Sequence, residues 1–389
     1  MIHRLPFIEI PFGCIAFGSE SSSLNANSTI QKWIKSVNDF NFFLVLAGTR
    51  TAEIEGISWA GATPEARRYT AIADAEFLLN GPSSNKKWPL PPLTAGVSPA
   101  VISYVANSFL NVHPLVIVSG LLHKPSFPHL PIDSASFGPA NCLSTGKAMN
   151  SSRVGNLWNS GFSMGLKLDK PLLLAECVPG GTTTAQAALA GLGLDVADFI
   201  SGSVLHPPVA LKKKLVKQGL KGACLGCNAS PVDVISAVGD PFQAFSVGLL
   251  LGARRAGQPV LLGGGSQMLA VLALALAQVK PELRSEFVEE VAIATTSWLA
   301  EESTLLDQSQ GSLFNLMEVI SDYFDVSLFG FASGLRFHES SKSVLRDYEL
   351  GYVKEGVGAG ALSLLAQLKG IDLQVFVEAC ECVVDDLER

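Results

Sequence analysis

Short apolar runs alternate with stretches of helical periodicity along most of this 389-residue chain, and that alternation constrains the fold more than any other feature. Runs at Phe42 to Ala47, Leu115 to Ser119, Pro171 to Ala175, Pro259 to Leu262, Val291 to Thr295 and Val326 to Phe329 have the length and continuity of strands covered on both faces. Between them, helices are expected over Pro64 to Leu79, Pro99 to Leu110, Thr183 to Leu192, Pro207 to Gln218, Pro241 to Ala256, Ser266 to Val279 and Leu373 to Leu387. Several of these begin with proline, which is favoured at a helix start because the N–H it lacks has no intrahelical acceptor there. The pattern is that of βαβ units, so the expected fold is α/β: a doubly wound, mainly parallel sheet with helices on both faces.

The composition agrees. Hydrophobic residues make up 48% and charged residues 16%, which suits strands buried on both sides. The net charge of −7 and the absence of a basic stripe argue against a nucleic-acid partner. The densest basic run, Lys212-Lys213-Lys214, reads as a solvated helix face. Seven cysteines without framework spacing point to a reducing cytoplasm. Cys224 and Cys227 have the spacing of half a zinc site but lack a second pair, so they read as small buried thiols and no metal is expected. The beginning of the chain does not read as a signal peptide. Residues 259–279 carry no charge, but Gly263-Gly264-Gly265 divides them into a strand, a turn and a helix rather than a membrane span.

Two long loops, residues 80–98 and 123–141, are rich in Pro, Gly, Ser or Asn, and loops of that length in compact chains usually serve function. Glu176-Cys177-Val178-Pro179-Gly180-Gly181-Thr182-Thr183-Thr184 follows one apolar strand and opens a helix. A carboxylate at the C-terminal end of such a strand lies where open α/β sheets place ligands. Glycine backbone, Thr182 and Thr183 hydroxyls and a helix N-terminus together suit an anion, although a plain threonine cap explains the same residues. Lys354-Glu355-Gly356-Val357-Gly358-Ala359 repeats the theme, a carboxylate before small residues that open a helix. Glu355 could be a general base or simply an acid favoured by the helix dipole. Gly264, Gly265 and Ser266 form a strand-to-helix turn able to touch a ligand, while Gly239-Asp240-Pro241, Gly248 and Gly252 read as close helix packing. Gly138 to Met149 is a polar, turn-prone loop without a mechanism of its own, and no hydrolase elbow or metalloprotease motif occurs.

In their joint order these segments resemble the nicotinate-nucleotide–dimethylbenzimidazole phosphoribosyltransferase family. Glu176 with Gly180 to Thr183 is similar to that family's Gly-Glu-Met-Gly-Ile-Gly-Asn-Thr-Thr loop. Lys354 to Ala359 is similar to its Gly-Glu-Gly-Thr-Gly-Ala, Ala140 to Met149 to its Ala-Asn-Met segment, and Val238-Gly239 with Pro259 to Leu262 to its Val-Gly-Gly helix and Pro-Val-Leu-Leu strand. The resemblance implies transfer of a phosphoribosyl group from nicotinate mononucleotide to dimethylbenzimidazole or a related base for the lower ligand of a cobamide. It implies Glu355 as the base, Glu176 as a second catalytic carboxylate, and Gly180, Gly181, Thr182 and Thr183 as phosphate contacts; Gly356, Gly358, Gly264, Gly265 and Ser266, at their turns, are expected to contact the nucleotide as well. It also implies no redox cofactor, a cytoplasmic homodimer, and an α/β core over residues 40–330 with a small lobe from residues 1–39 and 331–389. Gly48-Thr49-Arg50-Thr51-Ala52 replaces the family's Gly-Asp-His-Gly-Val, and Ala237 and Asp240 replace its lysine and second glycine, as in a divergent branch. Two other readings are a module that binds a nicotinate nucleotide without transferring it, and a dehydrogenase built on the Gly356 motif.

Overall fold

A computed structural model describes residues 1–82, 87–200, 202, 207–226, 229–302 and 312–389. Its strands, β1 His3–Arg4, β2 Ile15–Gly18, β3 Asn41–Ala47, β4 Leu115–Ser119, β5 Leu130–Pro131, β6 Leu172–Cys177, β7 Val260–Gly263, β8 Val291–Thr296 and β9 Phe329–Ser333, form one sheet. Their order is β1-β2-β9-β8-β7-β6-β3-β4-β5. Strands β3 to β9 pair in parallel, and β2 pairs antiparallel with both β9 and β1.

Alternation along each strand divides the core into two layers. In β3, Phe43, Val45 and Ala47 face one layer while Phe42, Leu44 and Leu46 face the other. The first layer holds the helices Ser151–Gly165, Gly181–Gly191, Pro241–Arg255 and Ser266–Gln278. The second holds Ser23–Ser36, Thr70–Asn80, Ala100–Leu110, Ala359–Leu368 and Leu373–Glu388. This is the doubly wound α/β architecture expected from the alternation. Both chain ends are woven into it: β1 and β2 extend the shared sheet, and the helix Ala359–Leu368 packs on β7, β8 and β9. We keep the division into residues 40–330 and two terminal segments as a proposal about folding units.

The chain adds β4 and β5 on one side of β3, then returns to add β6 to β9 on the other. The winding therefore reverses between β3 and β6, and the crevice beyond the carboxyl ends of those strands is where such sheets bind ligands. Glu176 and Cys177 occupy that end of β6.

Small residues set the helix packing as read. Gly161, Gly165, Gly248 and Gly252 let the helices Ser151–Gly165 and Pro241–Arg255 meet backbone to backbone; a Cβ at Gly248 would lie 2.0 Å from the Trp158 carbonyl oxygen. Asp240 caps the second of these helices, accepting the Gln243 N–H at 3.0 Å, and also accepts the Thr184 hydroxyl.

Some features differ from expectation. The helix expected over residues 64–79 is two, Pro64–Arg67 and Thr70–Asn80, interrupted at Arg68 and Tyr69; the Arg67 side chain bonds the carbonyls of Ala52, Ile54, Ser58 and Gly61. The strand expected over residues 326–329 runs instead from Phe329 to Ser333, where pairing with β2 fixes the register. Residues 259–279 form β7 and the helix Ser266–Gln278, and no helix among the described residues is long and apolar enough to cross a membrane. Cys224 is exposed rather than buried, because it ends the helix Val209–Ala223 in a left-handed turn at the surface. Cys227 lies outside the described residues.

Candidate active site

A cavity of about 500 Å³ opens at the switch point. That volume falls within the range of roughly 300–1,000 Å³ common for small-molecule clefts. Glu176, Gly180, Gly181 and Thr182 line it from the β6 loop, and Glu355 and Gly356 from the loop before the helix Ala359–Leu368. Gly265 and Ser266 line it from the β7 turn. Residues nearly 180 positions apart thus meet at one surface, and the two loops are joined directly: the Val357 N–H donates to the Glu176 carbonyl at 3.1 Å.

Thr183, Gly264 and Gly358 do not reach the cavity wall. Thr183 is turned into the helix packing and fully buried. The Gly264 N–H is used by the Ala294 carbonyl, at 2.9 Å, which fixes the turn from behind. Gly358, with φ +72, lies against Ala175. Their contribution is to shape the wall. The loop Gly138 to Met149 also supports from outside, since Ala140 bridges to Thr49 and the Leu143 N–H donates to the Thr51 hydroxyl.

The carboxylate of Glu355 is held by four donors: the Thr295 hydroxyl and Thr296 N–H on one oxygen, at 3.0 and 2.9 Å, and the Gly356 and Gly360 N–H groups on the other, at 3.1 and 3.2 Å. The surrounding backbone is unusual. Val353, Lys354 and Val357 all have positive φ, at 64°, 62° and 55°. A β-branched residue in that region is strained, and strain of this kind concentrates at functional sites. Glu176 accepts the Val178 N–H at 2.8 Å and also bonds the Gln267 side chain.

Desolvation dominates the electrostatics of both acids. It raises Glu176 to about 8, with the charges of Glu355 and Asp240 adding to the rise and the Val178 N–H opposing it. It raises Glu355 to about 7 against the opposing hydrogen bonds of Gly356, Gly360, Thr295 and Thr296. Burial, with the Glu355 charge adding to it, favours a proton on Glu176 near neutral pH. The sign for stability follows. A folded state that binds the proton more tightly than the unfolded chain is favoured below the ordinary carboxylate range, and that advantage is lost as pH rises through about 7 to 8. The ligand-free protein is therefore expected to melt at progressively lower temperature between about pH 5 and about pH 8. Glu176→Gln should flatten that slope in a melting series, and an unchanged slope would contradict the assignment.

Two lysines share the cavity with the acids. Lys212 is not on a solvated face: it is only 3% exposed, unlike Lys213 and Lys214, because its position on the helix Val209–Ala223 turns inward. Its ammonium donates to the Thr182 hydroxyl at 3.0 Å and lines the cavity. Burial lowers it to about 8, with Glu302 raising and Lys354 lowering it further. Lys354 also lines the cavity and pairs with Glu302. Nothing in the charge pattern separated Lys212 from its two neighbours; helical phase relative to Leu211, Leu215 and Val216 was the available signal.

The lining also has apolar side chains, those of Ile57, Trp59, Pro91, Leu93 and Pro99. An anion-binding corner, a pair of carboxyl groups and an apolar recess therefore share one chamber.

The comparisons with known proteins agree with this architecture. Residues 117–289 match the model of a phosphoribosyltransferase family. The chain is 56% identical to a UPF0284 protein of Prochlorococcus marinus strain MIT 9313, over 97% of this chain and 94% of that one. It is 40% identical to a UPF0284 protein of Crocosphaera subtropica, over 88% and 92%. Among solved structures, a nicotinate-nucleotide–dimethylbenzimidazole phosphoribosyltransferase from Thermus thermophilus superposes with a TM-score of 0.54 at 17% identity, covering 89% of this chain and 83% of that one. A structure of CobT from the same organism gives 0.54 at 16%, covering 91% of each. At those identities the likeness is one of fold.

Proposed function

The chain belongs to the UPF0284 family, a divergent branch with the fold of the nicotinate-nucleotide–dimethylbenzimidazole phosphoribosyltransferases, and we propose that it transfers a phosphoribosyl group from nicotinate mononucleotide to a benzimidazole-like azole. The observation that carries this reading is the meeting of Glu176 and Glu355 in one cavity, beside a helix N-terminus and Lys212.

The 5′-phosphate sits on the first turn of the helix Gly181–Gly191, where the backbone partial charge and the Lys212 ammonium oppose its charge. This places the ribose between the acids. A lone pair of the azole nitrogen forms the new bond to C1′ as the C1′–nitrogen bond to nicotinate breaks. The pair from that bond returns to the pyridinium nitrogen, which leaves neutral. The proton of the azole passes to a carboxylate, and Glu355, oriented by its four donors, is the base. Negative charge close to C1′ also stabilises an oxocarbenium-like transition state. The proposal includes a homodimer, as the resemblance implies.

Incubating the protein with nicotinate mononucleotide and benzimidazole, and following free nicotinate, tests the reading. Release that requires both the azole and the protein supports it. Tight nucleotide binding without release would favour the binding-module alternative, which the replaced Gly48 to Ala52 segment motivates. Lys212→Ala is expected to raise KM for the nucleotide by roughly 10–100-fold, the worth of a hydrogen bond to a charged group, with a smaller change in kcat. A variant with unaltered KM would remove Lys212 from the phosphate corner.

A further inference from the structure

The transfer chemistry above does not use Asp74. This carboxyl group comes from the helix Thr70–Asn80, is 4% exposed and belongs to the cavity wall. One of its oxygens accepts the Ser98 hydroxyl at 2.6 Å and the other the Cys177 thiol at 3.3 Å. A carboxylate can accept about four hydrogen bonds, so these two donors leave half of its capacity. The same cavity is lined by the apolar side chains of Ile57, Pro91, Leu93, Pro99 and Val357, which suit the flat faces of a ring. Burial raises Asp74 to about 6, with the Ser98 and Cys177 hydrogen bonds opposing the desolvation.

Its placement relative to the acid pair follows from the strand. Cys177 succeeds Glu176 in β6, and consecutive strand residues direct their side chains to opposite faces. Asp74, bonded to Cys177, is therefore across the strand end from Glu176. Asp74 and the two acids line the same cavity, so an azole whose ring nitrogen meets the carboxyl pair has Asp74 in the wall around it. A carboxyl acceptor in a largely apolar wall discriminates against a ligand that covers it without offering a donor, since its remaining lone pairs are then buried unpaired.

Resting on the phosphoribosyl-transfer reading, we propose that Asp74 selects an accepting azole whose fused six-membered ring carries an O–H or N–H donor, in preference to a methylated one. The test uses three azoles of matched shape, benzimidazole, 5-hydroxybenzimidazole and 5-methylbenzimidazole. Nicotinate release gives kcat/KM for each, and calorimetry gives the affinity of each for the protein saturated with nicotinate mononucleotide. The wild-type protein is expected to prefer the hydroxylated base over the methylated one by roughly 10–100-fold in both readouts. Asp74→Ala should bring the ratio close to one while turnover of benzimidazole persists. If that variant does not fold, Asp74→Asn, which keeps a carbonyl for Ser98 but removes the charge, should shrink the ratio. A purely structural Asp74 would lower stability and leave the ratio unaltered. Equal or better use of the methylated base by the wild type overturns the inference and leaves the transfer reading intact. No nicotinate release with any of the three overturns the transfer reading, and the calorimetric ratio still decides the role of Asp74.

Discussion

Replacing Glu355 by glutamine should lower turnover by roughly 10²–10⁴, the usual worth of a positioned general base, while leaving the affinity for nicotinate mononucleotide nearly unchanged. The amide is nearly isosteric and keeps one oxygen, so it can still accept from Thr295 and Thr296 or from Gly356 and Gly360. It cannot take the azole proton, and it brings no charge to the developing cation at C1′. The effect should therefore appear in kcat, because the interaction lost is made in the transition state and not with the phosphate. The variant should also lose the limb of the kcat profile that reflects the group near 7. Full activity in Glu355→Gln would remove this residue from the mechanism, and a large rise in KM with kcat intact would reassign it to substrate binding.

The second large effect is expected at Gly360, where fold and site depend on the same contact. A Cβ there would lie 2.0 Å from the Thr295 carbonyl carbon and 2.3 Å from the Thr296 nitrogen, distances that backbone cannot yield without the helix Ala359–Leu368 moving off β8. The Gly360 N–H and the Thr296 N–H both hold Glu355, so the shift also dismantles its cradle. Gly360→Ala should destabilise the protein by about 3 kcal/mol or more, at the upper end of overpacking costs, and abolish most activity in the fraction that remains folded. Gly155→Ala is the matched control. It lies within the helix Ser151–Gly165 with nothing near its missing Cβ. There the same change should be neutral or stabilising by up to about 1 kcal/mol through helix propensity alone. Denaturant midpoints for the two variants measure the contrast; comparable midpoints would contradict the close approach at Gly360.

The sequence carried the parts of this structure that depend on local pattern. Continuous apolar runs marked the central strands, proline and glycine marked most helix starts, and the two Glu–glycine loops stood at the ends of β6 and before the helix Ala359–Leu368 as read. Features decided by tertiary packing were not visible. The shift of β9 comes from pairing with β2, more than 300 residues earlier in the chain, and β2 itself is too short to register as a strand. Arg67 gave no sign that its side chain would gather four carbonyls of the segment that presents Ile57 and Trp59 to the cavity. Lys212 and Asp74 were hidden for a related reason. Each is a polar residue inside a helix whose pattern suggests an ordinary exposed or core position, and only the packing of that helix against the switch point turns the side chain into the chamber.

The position of bound nicotinate mononucleotide tests the central claim most directly. A crystal structure of the protein soaked with that nucleotide should show its phosphate at Gly181, Thr182 and Lys212, and its C1′ facing the carboxyl groups of both Glu176 and Glu355. A nucleotide bound elsewhere on the molecule, or one in this cavity with its sugar turned away from the two acids, would contradict it.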